Sequence, residues 1–419
     1  MEGSRMDQHV LTLDPTGANR HTESEYLRTH GPAARVDLLG QQVWAVADPG
    51  VLKALLIDPR VSKDAAQHWP KFPDEIVGKW PLALWVGVSN MFTAYGSDHR
   101  RLRRLVSPAF AARRVAALAP RIEEMTEALL DAVAATPPGE SVDLREHLAV
   151  PLPIQVISSL MGLSPAAQQD FRGLVDAVFD TTLSPEEAGA NAVRLYEVLA
   201  GLVAEKRENP GDDMTSLLIA TRDDQDDEGD GSALTEQELL DTLLLVISAG
   251  YETTVNLIDQ GVTLLLTHPE ERAKLDEGKA QWLDVVEETL RFESPVAHLP
   301  LRYAVEDIEL PGGVTIHQGD AILASYAAVG RHPDLHGTSA DVFDITRSLK
   351  DHLAFGHGVH FCLGAQLARM EAETVLRMLF TRFPDLAFAP EAELVPVESL
   401  ISNGHQRLPV ILRPAVTAS

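Results

Sequence analysis

A single cysteine, Cys362, occurs in 419 residues, and its surroundings set it apart from an inert buried thiol. It lies in the run Phe355-Gly356-His357-Gly358-Val359-His360-Phe361-Cys362-Leu363-Gly364. The three glycines permit close backbone approach and left-handed turns. An amphipathic helical pattern begins near Leu363, so Cys362 falls at a helix N-terminus, where free N–H groups and the positive dipole end favour thiolate over thiol. A low-pKa thiolate has three uses: nucleophile, zinc ligand or ligand to haem iron. His360 is a nearby base, but no protease signature accompanies it. His352, His357, His360 and Cys362 form a compact zinc-capable set, although structural zinc sites usually gather ligands from two separated pairs. The Gly-His-Gly stretch only approaches a dinucleotide fingerprint and lacks the strand and the following ribose acid.

Other residues carry chemistry by their spacing. In Ala249-Gly250-Tyr251-Glu252-Thr253-Thr254, Gly250 interrupts a helical pattern at a cost of about 1 kcal/mol against Ala, so something should offset it. Thr253 stands four residues after Ala249 and can bond its carbonyl, bending the helix beside the glycine. Glu252 is the only charged residue between Thr242 and Ile258, and burial would raise its pKa into a range useful for proton relay. Ser248, Glu252 and Asn256 also fit a solvated stripe. Glu288 and Arg291 are one turn apart, which suits an ion pair, and taken alone such a pair reads as a surface salt bridge. His99 and Arg103 share a helix face. Seven arginines and no acid lie from His99 to Arg121; this is a solvated basic face or a docking surface for an acidic partner.

The elements that must position these groups are mostly helical. Helical patterns cover 98–106, 109–134, 142–162, 165–180, 186–207 and 212–221, with others at 51–57, 280–292 and 363–382. Gln41 to Val46 alternates as a strand, Asp48-Pro49-Gly50 breaks it, and short strands with Gly/Pro turns fill 300–345. Thr235 and Glu238 make a capping box, after which the pattern runs to Thr267 before His268-Pro269 stops it. Such a helix would be about 48 Å long and must cross the middle of a large domain. Residues 222–231, RDDQDDEGDG, read as a solvated acidic loop. No internal repeat or Pro/Gly/Ser linker divides the chain.

Composition bounds the function. With 35 Lys+Arg against 62 Asp+Glu the net charge is −27, which argues against nucleic acid. One cysteine allows no intrachain disulfide and fits a reducing compartment. Neither a signal-like N-terminus nor an apolar stretch of about 18 residues is present, so no membrane association and a cytoplasmic location are expected.

The loop F-G-x-G-x-H-x-C-x-G resembles the haem-binding loop of the cytochrome P-450 family, the haem-thiolate monooxygenases. The resemblance extends, in order, over residues 30–412, leaving 1–30 as an N-terminal extension and 413–419 as a tail. It implies a mainly α fold, one large helical domain with a small β-rich region. By resemblance Cys362 is the axial ligand of haem b, and Ala249, Phe355 and Gly364 line the haem. His99, Arg103, Arg302 and His360 hold its propionates. Ala249 to Thr254 resembles the oxygen-activating segment, giving Thr253 and Glu252 the catalytic proton transfers, with Tyr251 where the family often has His. Glu288, Arg291 and Arg347 resemble the buried structural triad that locks the Cys loop. Arg100, Arg101 and Arg104 would face the electron donor.

Residues 58–62 and 64–70 resemble soluble actinobacterial members, a branch that includes steroid and polyketide hydroxylases. The implied reaction inserts one oxygen atom of O2 into a C–H bond of a hydrophobic substrate such as a steroid or macrolide. Electrons would come from a separate ferredoxin and ferredoxin reductase with NAD(P)H as source, and a monomer suffices. Trp85, Met91, Phe92, Val246, Ala249, Val296, Ala297, Leu299, Leu400 and Ile401 are the candidate substrate contacts. A haem-based sensor or carrier without turnover is the alternative, and it would not need the Glu252–Thr253 pair.

Overall fold

Thirty-two residues, Glu236–Thr267, form the central helix of the computed structural model, which describes residues 10–223, 233–390 and 392–412. Most of the acidic segment and the tail from 413 thus lie outside the described residues. The helix starts as the sequence requires: Thr235 Oγ1 accepts from the Glu238 amide at 3.1 Å, and the Glu238 carboxylate accepts from the Thr235 amide at 2.8 Å. Helices Pro151–Met161, Pro185–Glu208, Trp282–Phe292 and Ala365–Arg382 pack around it. That enclosure buries even its polar residues, so Ser248, Glu252 and Asn256 are core groups and not a solvated stripe.

Two expected helices are divided. Residues 109–134 contain a short helix Ala112–Ala116 and a longer one Ala119–Ala134, because Pro120 has no amide hydrogen to continue the first and sits in the first turn of the second. Residues 142–162 begin with a strand, Ser141–Asp143, paired antiparallel with Pro409–Ile411. A π-helical turn at Arg145–Ala149 follows, and the helix restarts at Pro151 and ends on left-handed Gly162. Asp48 does more than break a strand: its side chain accepts from the Val51 amide at 2.8 Å and caps helix Pro49–Leu55.

The larger sheet runs, in spatial order, through Leu11–Thr12, Ala33–Leu38, Gln41–Val46, Ala321–Ser325, His298–Ala304 and Val61–Ser62. Leu39 and Gly40 both have positive φ, as a two-residue hairpin between Ala33–Leu38 and Gln41–Val46 needs. The register of His298–Ala304 against Ala321–Ser325 shifts between Leu299 and Arg302. In a regular strand residues three apart point to opposite faces; the extra residue turns Leu299 and Arg302 into the same cavity.

Candidate functional site

The central helix, the Cys362 loop and the Leu299–Arg302 bulge enclose one large, mainly apolar cavity. Cys362 is one of its lining residues and keeps accessible surface. The loop is shaped by glycines at two points. Gly358 has φ +71°, and a Cβ there would lie 2.7 Å from Ile57 Cγ2; the Gly356 amide bonds the Leu353 carbonyl at 2.8 Å while its φ is also +71°. The amide of Cys362 donates to the Phe355 carbonyl at 3.0 Å, which closes the loop. Amides of Gly364 and Ala365 bond the sulfur, as a helix N-terminus provides, and Arg103 and Arg369 add positive charge. Burial outweighs them, and the free thiol is pushed up, not down. The expectation of an intrinsically acidic thiol is therefore corrected: without a further positive partner, burial favours the thiol.

A cationic rim borders the same cavity. Arg103 and Arg302 line it, together with His360. Arg103 Nη2 donates to the Phe361 carbonyl at 2.7 Å, and Arg302 shares a hydrogen bond with the Tyr326 hydroxyl. His99 packs against His360 with ring centroids 4.1 Å apart. Burial, then Arg103 and Arg100, pulls His99 down to about 4, and burial with Arg302 pulls His360 down as well. Buried His99 Nε2 and Arg302 Nη1 have no hydrogen-bond partner among the described residues.

On the central helix, Thr253 lines the cavity and its Oγ1 donates to the Ala249 carbonyl at 2.7 Å, the bond that the spacing predicts. Glu252 is not on that wall. Its carboxylate meets Arg145 Nη2 at 3.5 Å and accepts from Asn256 Nδ2 at 3.0 Å. Arg145 binds Asp259 more closely, at 2.9 Å, and Asp259 in turn bonds His405 Nδ1 at 2.6 Å. Burial raises Glu252 to about 7; Arg145 opposes that rise and Asp176 adds to it. The sequence did not disclose Arg145 or Asp259, since nothing in their local patterns marks a partner more than a hundred residues away.

Support for the loop comes from helix Trp282–Phe292. Glu288 and Arg291 are both fully buried and doubly bonded, at 2.7 and 2.8 Å. Arg291 also donates to the carbonyls of Gly330, Ala340 and Val342, and Arg347 Nε reaches Glu288 at 3.3 Å. One residue earlier, Glu287 bonds His352 at 3.2 Å and Arg369, one on each side of the Cys loop. Burial raises Glu287, but His352 and Arg369 overcome it and leave the carboxyl at about 2. With His352 so engaged, the zinc set does not form. Among the described residues the one metal-capable cluster is Asp48, His332 and Asp334, which shares none of its members.

Of the substrate candidates, Trp85, Met91, Phe92, Val246, Ala249, Val296 and Leu299 line the cavity, with Phe355 and Gly364 at its Cys side. Ala297, Leu400 and Ile401 do not. The Ala297 amide bonds the Ile401 carbonyl at 2.7 Å, so these segments are tied to one another in the core. Arg101 is also removed from the expected docking group, because it bonds the Ala233 carbonyl at 3.0 Å and pairs with Glu238. Trp85 Nε1 donates to the Val178 carbonyl at 3.0 Å, joining the 83–87 turn to helix Pro165–Phe179 across the cavity roof.

The donor set fits haem. Cys362 lines a cavity with apolar walls, and at one rim stand Arg103, His360 and Arg302, the last with an Nη1 that has no partner among the described residues, as a flat metallated macrocycle with two carboxylates requires. A family model described as Cytochrome P450 matches residues 183–400. The chain is 43% identical over 409 residues to a 2-hydroxy-5-methyl-1-naphthoate 7-hydroxylase of Streptomyces carzinostaticus, covering 97% of this chain and 98% of that one. It is 36% identical to a vitamin D(3) 25-hydroxylase of Pseudonocardia autotrophica, with 97% of each chain covered. The solved structure of CYP154A1 from Streptomyces coelicolor A3(2) is similar at 62% identity and a TM-score of 0.92, covering 96% of this chain and 100% of that one.

Proposed function

The chain belongs to the cytochrome P450 family and is a P450 monooxygenase, and from that premise we propose that it uses haem b to hydroxylate a hydrophobic small molecule. The overall balance is RH + O2 + 2 electrons + 2 protons giving ROH + H2O. The observation that carries this reading is that Cys362 and Thr253 line one mainly apolar cavity. A polycyclic or macrocyclic substrate, a steroid or polyketide, suits walls built from Trp85, Phe92, Val246, Val296 and Leu299, with few polar anchors. Named relatives are hydroxylases of 2-hydroxy-5-methyl-1-naphthoate and of vitamin D(3).

Cys362 would ligate the iron, and His99, Arg103, Arg302 and His360 would hold the propionates. Haem, when bound, supplies the oxygen chemistry. This chain's residues supply the rest. The apolar wall excludes water from the reacting carbon. Thr253 Oγ1 presents a hydroxyl to the cavity and can pass a proton inward. Glu252, behind that wall and with a value near neutrality, is suited to reload it after turning from Arg145. Electrons would be delivered by a separate ferredoxin and its reductase.

The test is turnover of a steroid and macrolactone panel under 18O2 with a surrogate ferredoxin system. The expected result is one labelled oxygen per product, and a Thr253→Ala variant that consumes O2 with product yield lowered by roughly tenfold or more. A spin-state shift without any product would instead mark a haem sensor or carrier, and equal coupling in Thr253→Ala would remove Thr253 from the proton path.

A further inference from the structure

Arg145 is one guanidinium between two carboxylates of the central helix, and it sides with the one farther along the chain from Thr253. Its Nη1 donates to Asp259 at 2.9 Å, whereas Nη2 meets Glu252 only at 3.5 Å. All three side chains are buried, Asp259 completely. Asp259 has three donors: the Arg145 guanidinium, the His405 amide at 3.1 Å and His405 Nδ1 at 2.6 Å. Burial raises Asp259, but His405 and then Arg145 overcome it, and the group stays ionised. An ionised carboxylate only accepts, so Nδ1 of His405 carries the hydrogen.

The loop that carries His405 lies directly on this cluster. A Cβ at Gly404 would come 2.1 Å from Asn256 Oδ1 and 3.1 Å from Arg145 Nη1, so glycine lets the backbone approach this closely. Asn256 Oδ1 accepts from Arg145 at 3.0 Å while its Nδ2 donates to Glu252 at 3.0 Å, and Ser402 of the same loop adds a hydrogen bond to Glu252. Among the described residues, the other charged group felt by Glu252 is Asp176 of helix Pro165–Phe179, which bonds the Tyr251 hydroxyl and lies 3.9 Å from Arg172. Two duties are thereby separated. A glutamate that was the sole partner of Arg145 could not take up a proton without leaving a buried cation unpaired. With Asp259 neutralising that cation, Glu252 can gain or lose a proton while Arg145 stays paired.

We propose that Asp259, secured by His405, is a positioning residue that holds Arg145 away from Glu252. It touches no reacting atom and acts through Arg145; its effect on turnover rests on the proton-transfer role given to Glu252, its effect on Glu252 does not. Replacing Asp259 by a neutral isostere leaves Arg145 with Glu252 as its one carboxylate among the described residues. The tightened pair and the lost negative charge both weaken the hold of Glu252 on its proton. Removing the His405 ring acts in the same direction, because burial then protonates Asp259.

The full-length protein is compared with Asp259→Asn, which keeps shape without charge, with His405→Phe, which removes the ring donor, and with His405→Asn, whose amide can stand in for Nδ1–H. One arm needs no turnover: the infrared carboxyl band that Glu252→Gln removes is titrated across about pH 4.5 to 8.5. The wild-type band should be lost around pH 7. Its midpoint should fall by about one pH unit or more, a tenfold change in proton affinity, in Asp259→Asn and in His405→Phe, and stay near the wild type in His405→Asn. Should Asp259→Asn fail to fold, the two His405 variants carry the comparison. Midpoints equal to the wild type in Asp259→Asn and His405→Phe overturn the proposal. The second arm follows product formed per O2 consumed over the same range, with a steroid or macrolactone that the wild type turns over. Its fall with rising pH should move by the same amount as the band. A band that moves while this coupling stays in place would overturn the proton-transfer reading of Glu252 and leave the positioning role standing.

Discussion

At the scale of single residues the site is governed by burial set against charge. Glu252 shows the balance most clearly, with a folded-state value of about 7 against 4.5 for a free carboxyl. A raised carboxyl binds its proton more tightly when folded. Its contribution to stability is therefore full below about pH 4.5 and is lost as pH rises through 7. Glu252→Gln cannot titrate, so the stability of the wild type relative to this variant should fall by on the order of a few kcal/mol between pH 4.5 and 8. Denaturant titrations across that range measure it; a constant difference would mean that Arg145 keeps Glu252 ionised throughout. Cys362, Thr253 and the rim residues were legible because their motifs are local. Arg145 was not, since a lone arginine carries no sign of Glu252 and Asp259, the carboxylates it meets from more than a hundred residues away. The thiol was misjudged because a helix N-terminus can be read from sequence whereas the depth of burial cannot.

At the scale of elements, helix Trp282–Phe292 is the support of the Cys loop through two neighbouring carboxylates. Glu288 holds Arg291, Arg347 and the Asp344 amide, and Glu287 holds His352 and Arg369. Removing Arg291 takes away the two closest bonds of a fully buried carboxylate and leaves it the longer Arg347 contact and the Asp344 amide, so Arg291→Ala should cost about 3–5 kcal/mol in urea unfolding. Gly330 tests the same joint from the other side. A Cβ there would lie 2.0 Å from the Arg291 carbonyl oxygen, which is fixed in the helix backbone. Gly330→Ala should destabilise by about 1–3 kcal/mol, and a neutral effect of either change would dissociate the joint from stability.

The periodicity and caps located the central helix to within a residue, and both ends carry explicit signals in Thr235/Glu238 and His268-Pro269. Helix patterns at 109–134 and 142–162 were over-extended because apolar spacing continues through Pro120 and through the strand Ser141–Asp143. That strand depends on Pro409–Ile411, far away in sequence.

At the scale of the molecule, a net charge of −27 coexists with a basic face. Arg100, Arg104, Arg113, Arg114 and Arg121 are exposed, and so are Val359 and Phe361 of the Cys loop, to which Arg103 is bonded. An acidic ferredoxin docking here should reduce the protein more slowly as ionic strength rises. Reversing Arg104 and Arg113 to Glu should slow that reduction by roughly tenfold and leave dithionite reduction unchanged. Salt-independent reduction would place the donor elsewhere. Among the described residues no helix is long and apolar enough to cross a membrane.

The most direct test of the central claim is the absorption spectrum of the purified, reduced protein with carbon monoxide. A haem held by Cys362 predicts a strongly red-shifted Soret band that is lost in Cys362→Ser, while the unliganded variant keeps a folded helical spectrum. A Soret band at the ordinary position in the wild type, or the same red-shifted band in Cys362→Ser, would contradict the assignment of Cys362 as the ligand.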